Sequence, residues 1–144
     1  MIKKFNELTA AELYAILQLR SEVFVMQQQC LYMDMDYKDQ KSFHLMIYQD
    51  GKLAAYTRLL PAGVSFEEVS IGRVVVSPAF RGKGLGRPLM LQSIAGCYEL
   101  FGKQPIRIGA QYYLKDFYHS LGFKQQSEVY LEDDIEHIEM LLEA

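Results

Sequence analysis

The run Arg81-Gly82-Lys83-Gly84-Leu85-Gly86-Arg87 sets three glycines at alternate positions among three cations. Glycine leaves backbone N–H groups uncovered, and such amides at the start of a helix bind anions with help from the helix dipole. The chemistry this spacing suits is the grip of a diphosphate-bearing ligand. Two familiar phosphate loops do not fit. A P-loop requires Ser or Thr directly after its lysine, and Lys83 is followed by Gly84. A dinucleotide fingerprint starting at Gly84-Leu85-Gly86 requires glycine three residues on, where Leu89 stands. Among residues able to move a proton, His44 opens an apolar strand and titrates in the range of a general base. Glu67 and Glu68 are adjacent, so strand alternation lets only one face a given side unless a bulge intervenes. Cys30 with His44 would allow an acyl-cysteine route, but no third, orienting residue lies at a recognisable spacing. Arg58 and Arg73 interrupt otherwise apolar strands, where they either pair with acidic neighbours or lie on a polar sheet face.

Positioning these groups falls to elements that the pattern makes visible. Val74, Val75 and Val76 form an unbroken apolar run, expected in a central strand buried on both faces. Ser77-Pro78 stops that strand, since proline lacks a donor and restricts the residue before it. The helix after the glycine loop should last to Phe101, with Gly102 as its stop. Pro88 is tolerated only in a first turn, so this helix either begins near Gly86 or bends there. Thr9-Ala10-Ala11-Glu12 reads as a capping box opening a helix from Ala10 to Phe24. Strands Phe43–Gln49 and Leu53–Leu60 flank Asp50-Gly51, the commonest two-residue hairpin turn. Ile2–Phe5 and Ile106–Ala110 read as strands, Leu114–Leu121 as a short helix, and Lys124–Leu131 and Ile138–Leu142 as a final strand pair. Strands and helices in this order make an α/β protein with a mixed sheet.

At 144 residues, half of them hydrophobic, the chain suits one domain over residues 1–144 with a core that needs no disulfide or metal. No apolar run approaches membrane-spanning length, and Met1-Ile2-Lys3-Lys4-Phe5 lacks the apolar segment of a signal peptide. Cys30 and Cys97 fit no zinc spacing and suggest reduced thiols in a cytoplasmic protein. A net charge of −3 argues against a nucleic-acid partner and makes the basic cluster around Arg81 a local feature.

Arg-Gly-x-Gly-x-Gly after a valine strand resembles the coenzyme A loop of the GNAT N-acetyltransferase superfamily. The element order matches that fold from end to end: a central mixed sheet splayed at its middle strands and flanked by helices. Leu19 to Val25, Tyr56 to Pro61, Ile71 to Val76, Ala110-Gln111, Phe117-Tyr118 with Gly122-Phe123, and Tyr130 through Glu132-Asp133 to His137-Ile138 are similar to the ElaA-like branch. Departures are Gln27 in place of Glu, Leu31 in place of Pro, and Asp134-Ile135-Glu136 in place of Gly-Ile-Pro.

The resemblance implies transfer of an acetyl group from acetyl-CoA to a primary amine, on a small molecule or a peptide, by direct attack in a ternary complex. A different class remains open, an acyl-CoA-binding sensor or interaction module without turnover. The resemblance also implies that Val74, Val75, Val76, the Arg81–Arg87 loop with Leu85, Phe117 and Tyr118 bind the coenzyme, and that no metal takes part. Tyr118 is the implied general acid toward the leaving sulfur. Glu67, Glu68 and His44 are the candidate bases, with His137 behind them. Asp34 and Asp36, with Asp39 on the same loop, would border the acceptor and attract a cationic amine; Arg73 and Gln111 are further candidates for binding the substrate. Late strands of such folds often pair between subunits, which leaves a homodimer open.

Overall fold

The first helix begins where the capping box places it. The Thr9 hydroxyl accepts from the Glu12 N–H at 3.0 Å, and the Glu12 carboxylate accepts from the Thr9 N–H at 2.9 Å. Two donors of the first turn are thereby satisfied. The computed structural model, which describes residues 1–144, gives α1 as Ala10–Arg20. Ser21–Gln27 continues it as a π-helix rather than the expected α-helix to Phe24. Gln28 N–H bonds Val23 O, and Cys30 N–H bonds Val25 O, each five residues back. Apolar spacing over two turns does not separate the α coil from the wider π coil, so the change is invisible in the pattern.

Strands β1 (Ile2–Lys4), β2 (Phe43–Gln49), β3 (Lys52–Leu60), β4 (Val69–Val76), β5 (Ile106–Gln111), β6 (Lys124–Gln125), β7 (Tyr130–Glu132) and β8 (Ile135–Leu142) form one mixed sheet. Their order is β1-β2-β3-β4-β5-β8-β6, with β7 also paired to β8. The β2–β3 hairpin turns at Asp50 and Gly51, whose φ of 54° and 73° are the left-handed pair that a type I′ turn requires. The expected strand Lys124–Leu131 is corrected to two short ones. Between them the Ser127 hydroxyl accepts from the Glu139 N–H at 2.8 Å, so a side chain replaces a ladder bond. β8 starts at Ile135, earlier than expected, because Asp133 and Asp134 both take left-handed conformations and close the turn at once.

Helices α2 (Gly86–Phe101) and α3 (Lys115–Ser120) lie against the face that carries Leu59, Ile71, Ile108, Ile138 and Met140. α1 covers the other face through Ile16 and Leu19, and the π-helix through Val23, packed on Met46, Tyr56 and Val75. Pro88 falls in the first turn of α2, so the helix begins at Gly86 without a bend.

Two irregularities of β4 prepare the site. In the β3–β4 register Tyr56 faces Val75 but Arg58 faces Gly72, so Arg73 and Val74 together oppose Thr57. This is a β-bulge, with Arg73 at φ 51°. The extra residue moves Val74 onto the α2 face with Ile71 and puts Val75 on the α1 face. β4 also pairs with β5 only at Val69↔Ile106 and Ser70↔Arg107, after which the strands separate. The valine run is therefore not buried on both faces as expected: Val75 is buried, while Val74 and Val76 are half-buried beside the opening.

Candidate functional site

The glycine loop sits at the N-terminus of α2, where Leu85 provides no side-chain cap and the first-turn amides lack intrahelical acceptors. Gly82 and Gly84 have φ of 78° and 72°, and a Cβ built on either would meet nothing within 4 Å. Their role is conformational, and the loop surface is open. Gly86 instead lies against the Phe117 ring, 3.7 Å from a built Cβ. Arg81, Lys83 and Arg87 are exposed and form no ion pair; Arg87 Nη1 donates to Ser120 Oγ at 3.2 Å, tying loop to α3. Bare amides, a helix N-terminus and uncompensated cations suit the diphosphate of coenzyme A.

From this loop a cavity of about 1170 Å³ runs into the gap between β4 and β5. Arg81 and Gly86 lie at one part of its wall, with Val74, Val75, Val76, Leu114, Phe117 and Tyr118. Tyr118 is 5% exposed, its ring edge-on to Phe117 and Phe123. Its hydroxyl makes no hydrogen bond within the chain and is not sealed from the cavity. Burial pushes its pKa well above the ordinary phenol value, reinforced by Tyr113. The phenol stays protonated across the physiological range.

The base candidates fare differently. His44 is wholly buried, does not line the cavity, and has Nδ1 on the Tyr56 hydroxyl and Nε2 on Asp39 O. Burial lowers its pKa further. It is a structural histidine, and the expectation of a base there is corrected. Glu68 is held by both carboxylate oxygens to Arg107, each at 3.0 Å, and that hydrogen-bonded pairing lowers its pKa. Glu67 is exposed; neither glutamate lines the cavity. Their place on the wall is taken by Glu139, bonded to Arg107 Nη1 at 3.1 Å, and by His137. His137 stacks on Tyr130, its Nδ1 lies 2.7 Å from Ile135 O, and its Nε2 lies 3.5 Å from Glu132. A carbonyl facing Nδ1 assigns the proton there and leaves Nε2 as the acceptor. Cys30 donates to Asp133 O at 3.0 Å and burial raises its pKa, which removes the acyl-cysteine route.

The acidic loop is corrected too. Asp34 is buried, accepts from Arg20 Nε and Arg73 Nε at 2.9 Å each, and does not line the cavity. Asp36 lines it, but accepts two bonds from Arg58 at 2.8 and 2.9 Å. Asp39 joins Arg20 and Arg58 at 2.8 and 3.0 Å. Burial alone would raise the pKa of Asp36 and of Asp39; the arginine bonds and charges overcome it and lower both. Arg58 and Arg73 thus pair with acidic neighbours. Gln111 lines the cavity and exchanges amide bonds with Gln28 at 3.3 Å, across the gap between the π-helix and β5. Arg20, Gln28, Lys38, Tyr130 and Glu139 were not singled out by the sequence, although an arginine on the apolar stripe of α1 was a readable signal for buried partners.

Residues 7–144 match the family model described as Acetyltransferase (GNAT) domain. The chain belongs to the GNAT family. Protein ElaA of Escherichia coli is 42% identical over 141 residues, covering 96% of this GNAT chain and 92% of its own. The crystal structure of that ElaA superposes with a TM-score of 0.93 at 40% identity, over 99% of this chain and 97% of the other. An acyl-CoA N-acyltransferase structure from Pseudomonas aeruginosa superposes with a TM-score of 0.94 at 45% identity, again over 99% and 97%. Membership in the GNAT family makes this an acyl-CoA-dependent N-acyltransferase, with coenzyme A as carrier of the acyl group and an amine as acceptor. No helix in it is long and apolar enough to cross a membrane.

Proposed function

We propose that this GNAT chain transfers acetyl from acetyl-CoA to a primary amine of a small molecule or peptide, by direct attack with both substrates bound. One observation carries the reading: the cationic glycine loop and the unpartnered hydroxyl of buried Tyr118 open into the same cavity, where β4 leaves β5. Arg81 to Arg87 hold the diphosphate. Past Ser70 the β4 edge has no strand partner, so backbone groups of Val74 and Val76 are available to the pantetheine arm, as an added strand would use them. A backbone N–H at Val75 or Val76 stabilises the oxyanion that develops on the acetyl carbonyl.

His137 replaces the three expected bases. Its Nε2 takes the amine proton and Glu132, 3.5 Å away, stabilises the imidazolium. The new N–C bond forms, the C–S bond breaks, and Tyr118 gives its proton to the departing sulfur. Coenzyme A supplies the activated acyl group; the chain supplies its placement and the two proton sites.

The test is thiol release from acetyl-CoA against amino acids, peptides and polyamines, with initial rates at varied concentrations of both substrates. Intersecting double-reciprocal lines are expected for at least one acceptor. Parallel lines would mean an acyl-enzyme. No release with any acceptor, by protein that still binds coenzyme A calorimetrically, would overturn the assignment of turnover.

A further inference from the structure

The carboxylates of Asp34, Asp36 and Asp39 are taken up by Arg20, Arg58 and Arg73. Three charges of each sign meet, and the buried Nε–H of Arg58 still finds no acceptor. The cluster holds more N–H donors than its carboxylates satisfy. Lys38 adds a fourth cation. Its ammonium, half-buried on the cavity wall, bonds only the neutral Ser65 hydroxyl at 3.2 Å and has no carboxylate partner. Arg73, on the same wall, spends Nε and Nη2 on Asp34 and leaves Nη1 unbonded. An ammonium without a counter-ion and a guanidinium with a free amino group, lining the same cavity, are both available to an anion.

That anion is not the coenzyme's diphosphate. Arg58 faces Gly72, and Ser65 precedes β4, whereas the glycine loop follows Val76 at the other end of the strand. Gly72 and Val76 pair with Arg58 and Ala55 of β3, which sets them roughly 10 Å apart along the sheet. Elsewhere the cavity lining carries the opposite sign, with Glu132, Asp133 and Glu139, the last paired with Arg107. A molecule bearing both an amine and a carboxylate fits between them.

Resting on the acetyltransferase reading above, we infer that the acceptor is an amino acid or short peptide whose carboxylate is held by Lys38 and Nη1 of Arg73. The acidic loop, which the sequence suggests as a trap for cations, acts through its arginines as part of an anion site. Polyamines lack the group this wall reads.

Calorimetric titration of the protein with coenzyme A present separates this from the catalytic assignment, because the probes need no turnover. The probes are N-acetyl-L-phenylalanine, N-acetyl-L-leucine, N-acetyl-L-glutamine and N-acetylglycylglycine, each against its carboxamide. At least one carboxylate should bind about tenfold or more tighter than its amide. Within K38M that ratio should fall toward one, and K38R should keep it. The ratio is read inside one variant, so a loss of folded protein does not mimic the result. Equal affinity for carboxylate and amide throughout, binding of neither, or an unchanged ratio in K38M overturns the inference. Absent thiol release with the carboxylate preference intact would strike only the assignment of turnover.

Discussion

The proton roles proposed for Tyr118 and His137 are each tested by one substitution. Y118F keeps the ring between Phe117 and Phe123 but removes the donor, so kcat should fall about 10²-fold or more. Burial raises the phenol's pKa, so the acid form persists to higher pH than a free tyrosine, whose value is near ~10. The alkaline decline of kcat assigned to Tyr118 therefore belongs above that value. A decline centred below it that vanishes in Y118F would contradict the buried-acid role. H137Q should also lower kcat about 10²-fold. Asp39 tests structure instead of chemistry. It is buried between Arg20 and Arg58, and D39A takes one acceptor from each guanidinium while Asp34 still pairs with Arg20 and Asp36 with Arg58, at a cost of about 1–3 kcal/mol at pH 7. Because the folded pKa of Asp39 is depressed, its stabilisation is complete above the unfolded value near ~3.9 and is lost as pH falls through the lower folded value. Urea unfolding of wild type should accordingly weaken below about pH 4, and D39A should show a shallower acid slope. A penalty under about 1 kcal/mol would mean that the cluster is solvated rather than buried.

The β4 bulge is the element on which both halves of the site turn, and its backbone is testable apart from its charge. Arg73 is held at φ 51°, a conformation costing non-glycine residues roughly 1–2 kcal/mol. R73A and R73G lose the same pairs with Asp34 and Asp36, but only glycine relieves the strain. R73G should therefore be more stable than R73A by about 1 kcal/mol in denaturant unfolding. Equal stabilities would place the strain elsewhere. This bulge also marks where the sequence stops being informative. The glycine loop, the α2 start at Gly86, the hairpin at Asp50-Gly51 and the capped α1 are local codes, and each is met in the structure. The bulge, the π-helix and the Asp–Arg cluster are products of pairing between distant segments. Arg20 meets Asp39 across 19 residues, and Arg73 meets Asp34 across 39. A strand histidine in an apolar run looks the same whether it faces a cleft or a neighbouring Tyr56, which is why His44 reads as a base. His137 stands behind the other candidates in the sequence because its place on the cavity wall depends on the left-handed turn at Asp133-Asp134, which sets the β7–β8 register.

Across the whole molecule, the sheet is held together on one side of a gap and left open on the other. β4 and β5 share two residue pairs, and beyond them the halves are joined through α2, α3 and the Gln28–Gln111 and Cys30–Asp133 contacts. A ligand that bonds the free β4 edge and the glycine loop together binds only the folded chain, so it must raise stability by RT ln(1 + [L]/Kd). At a hundred times Kd that is about 2.7 kcal/mol, or about 5–10 °C in Tm for a chain of this size. Coenzyme A should produce this shift, and adenosine, which has no diphosphate, should not. G84V supplies the internal control. Gly84 has space for a side chain but a φ of 72°, so a β-branched residue there reshapes the loop's amides at the protein surface without filling any core. Its ligand-free melting should stay within a few degrees of wild type, since the backbone strain is about 1–2 kcal/mol. Its coenzyme A shift should collapse. If G84V kept the full shift, the diphosphate would have to be held somewhere other than between Arg81 and Arg87, and the splayed edge of β4 would lose its assigned occupant with it.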